Sequence, residues 1–152
     1  MKTFTSFSER ENYIENLYKN SGYGAVQTQL DNEDKAVRDI YPEYLTVTNS
    51  SSAARALLTQ TERILNDAIR NDGRRGWEGA LEEAEQAVSK AKSFVNEAEA
   101  AEKRFRGTKR YKILDALMKV KKEGFDKVSN EWVRSGARKK ISEKYDFRKL
   151  YK

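Results

Sequence analysis

Residues 77–105, WEGALEEAEQAVSKAKSFVNEAEAAEKRF, decide the fold. Leu81, Ala84, Val88, Ala91, Val95 and Ala98 recur at spacings of three and four, and Phe105 resumes the stripe after Glu102. That period predicts one long amphipathic helix. Every second member of the stripe is alanine, and small residues in alternation let a neighbouring helix approach closely, so the seam is built to lie along a partner. The upstream stretch 53–70 offers one, with Leu57, Leu58, Ile64, Leu65, Ala68 and Ile69 on a broad apolar stripe. The connection between them is short, which predicts antiparallel neighbours and a coiled-coil-like hairpin. A homodimer closed through the alanine seam is the alternative use of the same surface.

Working outward, Ser8 and Glu11 have the spacing of a capping box, and Phe7 stands where a hydrophobic staple would. They introduce a helix carrying Tyr13, Ile14, Leu17 and Tyr18, which Gly22 ends. Gly22 and Gly24 read as a turn, since a phosphate-binding fingerprint needs a third glycine between a strand and a helix. A short helix through Ala36, Val37 and Ile40 should stop at Tyr41, before Pro42. The following EYLTVTN reads as an extended connector, and Ser52 as the N-cap of the next helix. After Gly107, Thr108 can cap a helix through Tyr111, Leu114, Leu117 and Met118 that ends at Gly124. Phe125, Val128 and Trp132 then form a further face up to Gly136, and Ile141 and Tyr145 a last short piece. The expectation is an all-α single domain over residues 1–152: an antiparallel hairpin or bundle with one long central helix at 77–105 and short basic C-terminal helices.

Composition narrows the chemistry. The 152 residues include no cysteine and no histidine, so disulfides, thiolate chemistry, histidine triads and the commonest transition-metal ligand are excluded. No run is long and apolar enough to cross a membrane, and the N-terminus lacks the apolar core of a secretory signal. A cytoplasmic setting, in a cell or an infected host, is expected, without cofactor or metal and without enzymatic activity.

The net charge of +6 is unevenly spread. Residues 1–102 hold 12 Lys/Arg against 18 Asp/Glu, whereas residues 103–152 hold 18 against 6. A basic end of this strength suits a polyanion, because each phosphate contact releases a condensed counterion. The candidate nucleic-acid-binding residues are Lys109, Arg110 and Lys112, then Lys119, Lys121 and Lys122, then Arg138, Lys139 and Lys140. They would contact phosphates of nucleic acid non-specifically. Neither Gly124 nor Gly136 fits the turn of a helix-turn-helix, so base readout is not expected. Tyr111, Trp132 and Tyr145 sit at helical core spacing and are expected to be buried.

The runner-up is a protein-binding module, a structural assembly subunit or an inhibitor of a nucleic-acid enzyme. Its residues would be Arg74, Arg75 and Trp77 in the turn, with Glu78, Glu82, Glu83 and Glu85 on the acidic face. That face resembles anti-CRISPR-type DNA mimics in charge alone, and its partner would be a nucleic-acid-binding protein complex.

Overall fold

The computed structural model describes residues 1–134, which form four helices: α1 (Phe7–Ser21), α2 (Tyr23–Arg70), α3 (Ala80–Arg106) and α4 (Lys109–Arg134). Among the described residues there is no strand, and no helix is long and apolar enough to cross a membrane. The all-α architecture is as expected. The chain divides into two compact units, a terminal unit of Met1–Lys35 with the described residues from Ile113 on, and a hairpin unit of Ala36–Lys112.

The hairpin unit has the expected antiparallel design. Ala84, Val88, Ala91 and Phe105 are buried, so the alanine seam is covered within the chain and needs no second copy to close it. Its partner stripe on α2 runs at the same three-four spacing through Ile40, Tyr44, Val47, Ser51, Ala54, Leu58, Thr61, Leu65 and Ala68, all buried or half-buried. Three cross-pairs fix the register: Arg55 with Glu99 at 3.4 Å, Ser51 with Glu102, and Tyr44 under the Arg106 guanidinium. In that register Ala54 stands level with Ala98, Thr61 with Ala91 and Ala68 with Ala84. Small faces small on alternate rungs, the condition for close helix approach.

The greatest departure from expectation is α2, which continues without a break across Pro42, EYLTVTN and Ser52 for 48 residues. Two compensations account for this. The threonine hydroxyls are accommodated within the helix: Thr46 donates to the Pro42 carbonyl at 2.9 Å and Thr48 to that of Tyr44 at 2.9 Å. Buried Ile40 and half-buried Tyr44 and Val47 hold the seam on either side of Pro42, and packing outweighs local propensity. Ser52 is therefore no cap. Its neighbour Ser51, fully buried, accepts from Arg55 at 2.7 Å.

Residues 71–79 form three consecutive turns. Arg74 donates to the carbonyl of Asn71, Trp77 to that of Arg74 and Ala80 to that of Trp77, at 3.0, 3.1 and 3.1 Å. The third position of each turn is Gly73, Gly76 or Gly79, with φ of 82°, 89° and 74°, a region closed to most side chains. Hence α3 starts at Ala80 rather than at Trp77.

In the terminal unit, α1 is capped by Ser6, not Ser8. The Ser6 hydroxyl accepts from the Glu9 amide at 3.2 Å, while the Glu9 carboxylate accepts from the Thr5 amide and hydroxyl at 2.9 and 2.6 Å. The sequence contains two overlapping boxes, and the earlier one wins because it places Phe7 over α4. A Cβ on Gly124 would stand only 2.5 Å from the Phe7 ring, so glycine here is a notch for Phe7 and not a helix stop. α4 accordingly runs through Gly124, and the separate helix expected from Phe125 on is, as far as Arg134, its continuation. Glu123 accepts from the Phe7 amide at 3.0 Å, and Lys127 meets Glu11 at 3.5 Å. Gly22 closes α1 as expected, but α2 begins at once, so Gly24 is helical.

Candidate polyanion-binding surface

The basic residues of α4 fall in both units and differ in what they already hold. In the hairpin unit Thr108 caps α4, its hydroxyl accepting from the Tyr111 amide at 3.2 Å. Arg110 is in structural use: it donates to the Glu43 carboxylate and to the Asp39 carbonyl, both at 3.2 Å, on either side of Pro42. Lys109 and Lys112 are exposed and take part in no ion pair among the described residues.

Just before them lies a cluster whose composition gave no warning. Arg106 donates two bonds to Glu102, at 3.3 and 2.9 Å, and one to the Tyr111 hydroxyl at 2.7 Å. Its guanidinium lies over the rings of Tyr44 and Tyr111, 5.7 and 5.2 Å from their centroids, and those two rings stack at 6.1 Å. The Arg106 bonds, then the Ser51 hydroxyl, hold the Glu102 carboxyl below its ordinary pKa; reciprocally, Glu102 raises that of Arg106. This cluster anchors the α3–α4 corner at the point where the seam ends and the charge changes sign. The i, i+4 spacing of Glu102 and Arg106 is its one sequence signal.

In the terminal unit, Lys119, Lys121 and Lys122 are all exposed. Lys119 and Lys122 share the outer side of α4 with Asp115 and Asp126, each four residues from one of the lysines, so local carboxylates partly neutralise them. Lys121 differs. Helical spacing puts it on one stripe with Phe125, Val128 and Trp132, and these are 71%, 61% and 42% exposed. The expected burial of Trp132 is thus corrected: the terminal core is filled by Leu114, Leu117 and Val120, and the stripe lies beyond its cover. Tyr111 is half-buried in the ring cluster. Arg138, Lys139, Lys140 and Tyr145 lie outside the described residues. By sequence, residues 1–134 hold 23 Lys/Arg against 22 Asp/Glu, and residues 135–152 hold seven against two. Most of the net positive charge therefore follows the exposed stripe directly.

No family model, curated protein or solved structure matches this chain. The surfaces must therefore be weighed on their own chemistry.

The turn residues occupy the exposed tip of the hairpin. Arg74 donates to the Asn71 side chain at 3.0 Å, and the Glu78 carboxylate accepts from the Gly76 amide at 3.0 Å. Arg75 is exposed, and Trp77 is 37% exposed. Glu82, Glu83 and Glu85 are exposed too; Glu82 and Glu85, three residues apart, share a face of α3 while Glu83 is turned away from them, and Lys90 and Lys92 follow about two turns further along. Among the described residues no group of acidic side chains is placed to hold a metal ion, and no buried side-chain nitrogen or oxygen lacks a partner.

Proposed function

We propose that this protein binds nucleic acid, single strands above duplex, without reading base identity and without enzymatic activity. The observation that carries the proposal is the exposed Lys121–Phe125–Val128 stripe on α4, followed in sequence by the most basic segment of the chain. A cation beside an exposed aromatic ring, here Phe125, is what a single strand requires, since lysine neutralises phosphate while a ring accepts any base by stacking. Lys109, Lys112, Lys119 and Lys122, with Arg138, Lys139 and Lys140, supply further phosphate contacts in this reading. Arg110 does not, being committed to Glu43. Among the described residues the two carboxylates with displaced pKa values, Glu9 and Glu102, are both lowered, the wrong direction for a general acid, which favours a binding role over catalysis.

The acidic-face alternative has weaker support. Glu99 and Glu102 are already paired with Arg55 and Arg106, and the remaining glutamates form no single row. Binding of generic single- and double-stranded DNA and RNA, measured across a salt series, tests the proposal. The logarithm of affinity should fall linearly with that of salt, with single strands preferred. Absence of binding at low salt, or affinity indifferent to salt, would refute it.

A further inference from the structure

The hairpin of α2 and α3 has two unlike edges. On one, the register brings Arg55 to Glu99 and Glu62 level with Lys92, an edge of opposite charges. On the other it sets Leu57 level with Phe94 and Ile64 with Ala87. Leu57, Ile64 and Phe94 are 41%, 51% and 42% exposed, so a strip two helices wide remains uncovered beside a filled seam. Such a strip lies where a bundle of more than two helices places its next member.

The outer border of this strip on α3 identifies what fits there. At seven-residue intervals it carries Glu83, Lys90, Glu97 and Arg104, charges in strict alternation. None of the four has an opposite charge three or four residues away on its own helix, and none joins an ion pair among the described residues. All four are exposed. Turned end for end, the series becomes its own complement. In an antiparallel pairing of two α3 helices centred on Phe94, Glu83 meets Arg104 of the other copy and Lys90 meets Glu97, each twice by symmetry. The apolar residues share that centre to within half a residue, since Ala87 falls opposite Ala101 and Phe94 opposite Phe94. A two-fold interface requires this self-complementarity, which a surface facing an unrelated protein has no reason to possess.

We propose that the chain forms a two-fold symmetric homodimer through this edge, α3 against α3 in antiparallel register about Phe94, with Leu57 and Ile64 covered by the same contact. The intrachain alanine seam stays intact in this dimer. The interface is independent of the nucleic-acid proposal, because it uses none of the α4 residues.

Solution mass of the full chain, followed by sedimentation equilibrium over a concentration series, tests it. Wild type should reach twice the chain mass. F94E, whose site is exposed and outside the seam, should remain monomeric with an unchanged helical circular dichroism spectrum. K90E and E97K should each weaken dimerisation on the order of tenfold, because each sets like charges opposite twice. Mixing equimolar K90E and E97K chains should restore dimerisation, since every inverted charge then meets an opposite one. That recovery is independent of how F94E folds. A wild type that stays monomeric throughout, or a mixture no tighter than its components, would overturn the proposal.

Discussion

The two units are both helical, yet they close their cores by opposite means. The hairpin unit distributes its packing along a repeated register in which many small contacts each contribute a little, from Ala68 and Ala84 at one end to Phe105 at the other. The terminal unit rests on a few singular contacts: Phe7 over Gly124, Phe4 against Tyr13 with ring centroids 5.1 Å apart, the Arg10–Glu33 pair, and Leu114, fully buried. A repeated seam tolerates local irregularity, which is how α2 passes through Pro42. A core of single keystones does not, and its stability should respond sharply to single substitutions.

The sharpest test of that contrast is Leu114→Ala in the terminal unit. With no exposed surface, Leu114 leaves a cavity that should cost about 3 kcal/mol in a denaturant titration. Arg10→Ala should follow at roughly 2–3 kcal/mol, because it strands the largely buried Glu33 carboxylate that now accepts from Arg10 Nε at 3.0 Å. In the hairpin, Ala91→Leu inserts bulk at a seam position with almost no exposed surface and should cost about 2 kcal/mol, while Ala91→Ser should be nearly neutral. Equal sensitivity at Leu114 and Ala91 would erase the distinction. The smallest effect concerns acid. Glu9 in one unit and Glu102 in the other have folded pKa values below their unfolded ones, Glu9 through its bonds from Thr5. Each therefore contributes stability that is complete above the ordinary carboxylate pKa and is lost as pH falls toward the folded value. Urea midpoints measured from neutral pH downward should fall less steeply for E9Q and E102Q than for wild type. Glu9 is exposed and Glu102 is half-buried, so the difference should be small and smaller for E9Q.

The same contrast explains what could be read from the sequence. The seam of α3, its antiparallel partner, the turn at Asn71–Gly73 and the Thr108 cap all follow from periodicity and from capping chemistry within a few residues. The continuity of α2 was hidden because Pro42, TVT and the triple serine each favour a break locally, and the buried positions that override them become significant only once α3 lies alongside. Gly124 misled for a similar reason: its role depends on Phe7, far away in sequence. At the candidate site, the basic residues were visible as a cluster, but sequence could not distinguish Arg110, committed to Glu43 and Asp39, from Lys109 and Lys112 beside it. Nor could spacing tell that the Phe125, Val128 and Trp132 face lies beyond the core, since an exposed and a buried stripe have the same period.

The central functional claim is that lysine charge and an exposed ring on α4 act together on a single strand. Titrating wild type, K121Q and F125A with a fluorescent single-stranded oligonucleotide over a salt series separates their roles most directly. K121Q should reduce the slope of log affinity against log salt by about 0.7. F125A should leave the slope unchanged while lowering affinity on the order of tenfold at every salt concentration. Wild-type affinity and slope in both variants would contradict the account.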